Sequence, residues 1–107
     1  MKQLDDILTE VNKLVSDLEV KKLGLIQDRS EILEGLSVAN YWLANHRDFY
    51  KKKWEIAYSN CSEKSHVSKE RFADNQVPEL YTIRHVMGAI KLLIDSLRTS
   101  ISANKNG

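Results

Sequence analysis

The sequence predicts an all-α protein: long amphipathic helices forming a hairpin or small helical bundle, with a coiled-coil-like C-terminal helix, completed by oligomerisation. Three observations carry this expectation. Apolar residues recur at spacings of three and four over two long stretches, which is the period of a helix face. Only four Gly and one Pro occur in 107 residues, so there is little material for loops. No stretch alternates apolar and polar residues as a half-buried strand would. A chain of this length is expected to form one domain, residues 1–107. So small a chain buries a modest share of its surface, and self-association would add to its stability.

The first element is expected over residues 1–27. Leu4, Leu8, Val11, Val15 and Leu18 follow one another at spacings of 4, 3, 4 and 3, with Ile7 and Leu14 widening the stripe. Gly24 weakens the helix near its end. A break or bend is expected around Gln27-Asp28-Arg29-Ser30, where Asp28 and Glu31 make a loose capping box, the alternative being a helix that runs straight through.

The second helix is expected over residues 30–60. Leu33, Leu36, Leu43, Tyr50, Trp54 and Ala57 fall on one side, while Asn40 and Arg47 interrupt the stripe. Residues 61–75 begin polar and Ser-rich, and are read as a turn region that a loose helix could partly cross.

The last helix, residues 78–103, has the clearest pattern. Asp74 or Asn75 can cap it, and Pro78 suits a first turn, where its missing N–H is no loss. Leu80, Ile83, Met87, Ile90, Ile94, Leu97 and Ile101 then recur at spacings of 3, 4, 3, 4, 3 and 4. Such a stripe must be buried against another helix, and these seven residues are expected to form an oligomer interface. Gly88 beside the stripe would permit close approach of a neighbouring helix. Arg84, Lys91 and Arg98 recur every seven residues and form either a basic edge or a solubilising rim.

Composition argues against several function classes. The three histidines are far apart, and Cys61 with His66 beside Glu63 supplies fewer converging ligands than a metal site needs. A Cys61–His66 nucleophile pair would have nothing to orient it. There is no Gly-rich phosphate loop. No catalytic residue, metal or cofactor is therefore expected, and the chain is read as a non-enzyme. With one cysteine there is no internal disulfide. Asp5, Asp6 and Glu10 stand where a secretory signal would need an apolar run, so the expected location is the cytoplasm, without a membrane partner.

The net charge of +1 conceals an uneven distribution. Residues 1–36 carry eight acids and five bases, residues 37–71 carry four acids and seven bases, and the remainder three acids and four bases. The basic middle contains RDFYKKKWEIAYSN, residues 47–60. On a helix, Arg47, Lys51 and Tyr58 share one strip, Lys52 and Lys53 fan out to either side, and Tyr50 stands four residues from Trp54. This stretch is either an amphipathic helix with solvated lysines or a single-strand site. In the second case Arg47 and the lysines would neutralise phosphates, and exposed aromatics (Tyr41, Phe49 or Tyr58) would stack on bases. The candidate nucleic-acid-binding residues are Arg47, Lys51, Lys52, Lys53 and Tyr58.

The order of these features resembles small helical phage proteins encoded with recombination genes and, more loosely, UvsY-type recombination mediators. The likeness runs over roughly residues 41–102. It consists of a Lys-and-aromatic central helix, a polar turn, and a final helix reading Tyr81…Gly88-Ala89-Ile90…Leu97…Ile101. What it implies is an oligomeric, non-enzymatic protein that binds single-stranded DNA and helps load a recombinase onto strands covered by a single-strand-binding protein. Arg47, Lys51, Lys52 and Lys53 carry over by position; Tyr50, Trp54 and Tyr58 match only in kind. The alternative is a helical protein-interaction module, such as a phage inhibitor of a host nuclease or defence protein, with no nucleic-acid binding. A structural coiled-coil protein with no ligand is a further alternative.

Overall fold

A computed structural model describes residues 2–21 and 26–106, with side chains described at 2–18 and 29–102. Four helices are packed as a small extended bundle: α1 (Leu4–Lys21), α2 (Ile26–Asn60), α3 (His66–Gln76) and α4 (Pro78–Asn106), with no strand among the described residues. The molecule measures 59 × 25 × 20 Å. At about 1.5 Å per residue α2 alone is roughly 52 Å long, so it is the spine. It packs against all three other helices, most extensively against α4, and α3 also touches α4.

The core follows the helical stripes, with one shift of register in each of the first two helices. Ile7 and Val11 of α1 are the buried pair, while Leu4, Leu8, Leu14, Val15 and Leu18 pack half-buried around them. In α2 the buried line is Ile32, Leu36, Ala39 and Leu43. Leu33 lies half-buried beside it, as do Tyr50 and Trp54 further along the helix. The polar interruptions Asn40 and Arg47 sit on the flank of this line, half-buried. α1 comes close to α2 at Gly35, where an added Cβ would stand only 3.0 and 3.2 Å from the Leu14 methyls.

The α4 stripe forms as its spacing requires, but it faces inward. Ile83, Ile90 and Leu97 join the core made with α1 and α2, and Leu80 is buried with Ala73 and Val77 at the α3–α4 corner. Met87, Ile94 and Ile101 are half-buried along the same side. The seven residues expected to form an oligomer interface are thus largely used inside the chain. The physical reason is that α2 is long enough to cover the stripe from Ile83 to Leu97. Gly88 has no neighbouring atom among the described residues within 4 Å of where its Cβ would be, so it makes no close helix–helix contact with them.

Two boundaries also differ from expectation. α2 is already helical at Gln27-Asp28-Arg29-Ser30, so the break is not there; Gly24 lies outside the described residues. The turn region expected over 61–75 is short, because α3 begins at His66. Ser65 caps it: its Oγ accepts from the Ser68 amide at 3.1 Å and donates to Ser68 Oγ at 2.8 Å. Only Ala73 of α3 is buried, so the helix has no apolar period for a sequence reading to detect. Asp74 and Asn75 are in α3 and do not cap α4; Val77 separates the two helices, and its amide donates to Ala73 O at 3.0 Å. Among the described residues no helix is long and apolar enough to cross a membrane.

Candidate nucleic-acid interface

Successive residues on a helix point about 100° apart, so the three adjacent lysines cannot share a face. Only Lys51 turns toward α4. It lines a cleft of about 340 Å³ with Arg47, Asp48, Arg84 and Met87. Met87 is shared with a second cleft of about 530 Å³, lined by Ser37, Asn40, Gly88, Lys91, Ile94, Asp95 and Arg98. The two are continuous and form one groove between the antiparallel α2 and α4. Its cations are Arg47 and Lys51 from α2 and Arg84, Lys91 and Arg98 from α4; its anions are Asp48 and Asp95.

The seven-residue recurrence of Arg84, Lys91 and Arg98 places them about 10 Å apart along one edge. They are the partners of Lys51 that a reading of the central helix alone would miss. The signal was in the sequence, as a basic heptad position flanking the seam. Arg47 leans on Asp48 at 3.4 Å, an exposed pair that contributes little to stability.

Lys52 and Lys53 are exposed but lie outside this groove. The Lys53 ammonium sits over the Phe49 ring, 4.7 Å from its centroid, with Tyr50 at 5.6 Å. Tyr58 is also not the open stacking platform expected. Its ring is stacked on Trp54 with centroids 5.4 Å apart, and the Lys69 ammonium stands 5.5 Å from its centre. Its hydroxyl shares a 2.6 Å hydrogen bond with His66 Nδ1, and His66 Nε2 is 2.7 Å from Glu70 Oε1. In a neutral imidazole this sets Nε2–H as donor to Glu70 and Nδ1 as acceptor from Tyr58. Trp54 Nε1–H donates to Asp74 Oδ1 at 2.8 Å. This aromatic and polar cluster fastens α3 to α2, and it explains why so polar a helix stays docked. The exposed aromatics of the central helix, Tyr41 and Phe49, point to the side of α2 away from its buried line. Groove cations and the open aromatic rings of α2 therefore stand on different faces, whereas on α4 the exposed Tyr81 lines a neighbouring cleft with Arg84.

Cys61 follows the end of α2, half-exposed, its amide donating to Tyr58 O at 3.3 Å. Among the described residues no group of three or more His, Cys, Asp or Glu side chains could hold a metal ion. With Lys51, Arg84, Lys91 and Arg98 exposed along it, the groove offers cations at two edges to a line of anionic groups. No protein family, no curated protein and no solved structure matches the chain.

Proposed function

We propose that the chain is an oligomeric accessory protein that holds the phosphate backbone of single-stranded DNA along the α2–α4 groove and so assists recombination or replication. A recombinase or a single-strand-binding protein is the further partner implied by the likeness to UvsY-type mediators. The observation that carries the reading is the convergence of five cations from two helices on one groove, against two carboxylates, in a chain of net charge only +1. Phosphate contacts of this kind carry no sequence information and dominate non-specific affinity. Each subunit offers few contacts, so useful affinity would come from several subunits on one strand.

The test is a gel shift with labelled single strands and with a duplex of equal length, each at low and moderate salt. Parent protein should retard the single strand at low salt and lose it at moderate salt. The Lys51→Ala, Arg84→Ala double variant should retard it less at every concentration. Absence of any shift at low salt would remove the proposal. It would leave the interaction-module reading, favoured by the apolar residues exposed on the outer side of α2, to be pursued by host pull-down.

A further inference from the structure

The outer side of α2 carries a second heptad line that the fold leaves exposed except at Trp42, which is half-buried against the core, and at the half-buried Asn45. Val38, Trp42, Asn45, Phe49, Lys52 and Ile56 follow at spacings of 4, 3, 4, 3 and 4, well away from the buried line of Ile32, Leu36, Ala39 and Leu43. Val38, Phe49 and Ile56, with the adjacent Tyr41, are exposed by 49%, 53%, 61% and 64% respectively. Four large apolar side chains on one strip of one helix form a patch rather than scattered surface residues.

The two ends of this strip are oppositely charged. Toward the start of α2 it opens into a cleft of about 500 Å³ against α1, lined by Leu14, Gly35 and Val38 with Glu10, Lys13, Asp17, Glu31 and Glu34; Glu10 is paired with Lys2, and Asp17 and Glu34 give this end its negative charge. Toward the end of α2 it presents Lys52, and Lys53 lying over Phe49. We propose that this outer face is a homodimer interface, in which a second copy lies across it about a two-fold axis with the two α2 helices antiparallel. In that arrangement Glu34 faces Lys52 of the second copy, Val38 faces its Phe49, and Tyr41 faces its Asn45, all within one residue of the same register. Each contact occurs twice, as an isologous interface requires. A parallel pair would instead set Glu34 against Glu34 and Lys52 against Lys52. Charge complementarity thus selects both the occupant and its direction. The interface leaves the α2–α4 groove open, so it stands independently of the nucleic-acid reading.

From Glu31 to Ile56 the strip is about 38 Å long and one helix wide, a footprint of roughly 400 Å². Stable interfaces bury about 800 Å² per partner, so the dimer is a weak one, with dissociation in the micromolar range. The experiment is sedimentation velocity on the full chain over about 5–500 µM, at low salt to limit screening. The mass should rise with concentration from 12.3 kDa toward twice that value. Glu34→Lys and Lys52→Glu should each weaken association at least tenfold, because each creates two like-charge contacts. The two changes together should restore it. Phe49→Asp should abolish it without altering the melting temperature, since Phe49 is outside the core. A chain that stays monomeric throughout overturns the proposal. So does a dimer that tolerates either single reversal, or one insensitive to Phe49→Asp.

Discussion

Replacing Ile90 by alanine separates a seam used within the chain from one used between chains. Ile90 is 1% exposed and sits in the core formed by α1, α2 and α4, beside Ile83, Leu36 and Leu43 in the same cluster. Truncating a buried isoleucine removes its transfer energy and leaves a void, costing about 2–5 kcal/mol. Domains of this size are stable by only about 5–15 kcal/mol in total. Each kcal/mol lowers the melting temperature by roughly 4–8 °C, so a mid-range loss of about 3 kcal/mol predicts a drop of some 12–24 °C. The assay is a far-ultraviolet circular dichroism melt at two protein concentrations, run beside Leu92→Ala. Leu92 is on the same helix but 73% exposed, and its truncation should cost no more than about 0.5 kcal/mol. If Ile90→Ala melts like the parent while its mass in solution falls, the stripe is covered by another subunit and the intrachain packing described above is wrong.

Three further outcomes follow from the same packing. Gly88→Ala should raise the melting temperature by about 4–8 °C, a gain near 1 kcal/mol, because Gly88 is mid-helix with open space around it; a fall would reveal something packed on it. Trp54→Phe deletes the donor to Asp74 and should make α3 amides exchange with solvent faster than those of α2 and α4; uniform exchange across the chain would show that α3 is held by other contacts. Cys61→Ser should leave the melting temperature within about 1–2 °C of the parent, since the thiol is half-exposed and unbonded; a larger loss would mean that the α2–α3 turn buries it.

How much could be read from the sequence depended on how each helix uses its apolar residues. The α4 heptads were legible because one face does all the burying, and Pro78 marks the start. The partner of that face was not legible. A stripe states that it must be covered and says nothing about whether the cover lies in the same chain. α2 was harder, because three helices pack around it and a further apolar strip is left outside, so its apolar residues spread over several sides. Reading Leu33 with Leu36 gave nearly the right line, but the actual one runs Ile32, Leu36, Ala39, Leu43. α3 shows in the sequence only as a loose helix that could cross part of a turn, because side-chain hydrogen bonds from Trp54 and Tyr58 hold it in place of an apolar face. In the groove, Arg47 and Lys51 were named from the central helix. Arg84, Lys91 and Arg98 form a separate basic edge in the sequence, because only the antiparallel packing of α2 on α4 brings the two basic edges together.

The proposal that this groove holds a phosphate backbone is tested most directly by the salt dependence of single-strand binding, followed by fluorescence anisotropy of a labelled oligonucleotide. Lys51, Arg84, Lys91 and Arg98 offer four unpaired contacts per subunit, Arg47 being engaged with Asp48. At about −0.7 per phosphate contact, the log–log slope of affinity against salt should be near −2.8 for one subunit. Lys51→Ala with Arg84→Ala should halve it to about −1.4, whereas Lys64→Ala with Arg71→Ala, an equal charge loss outside the groove, should leave it close to the parent's. No binding at low salt, or equal slopes for the two double variants, would contradict the assignment of the groove.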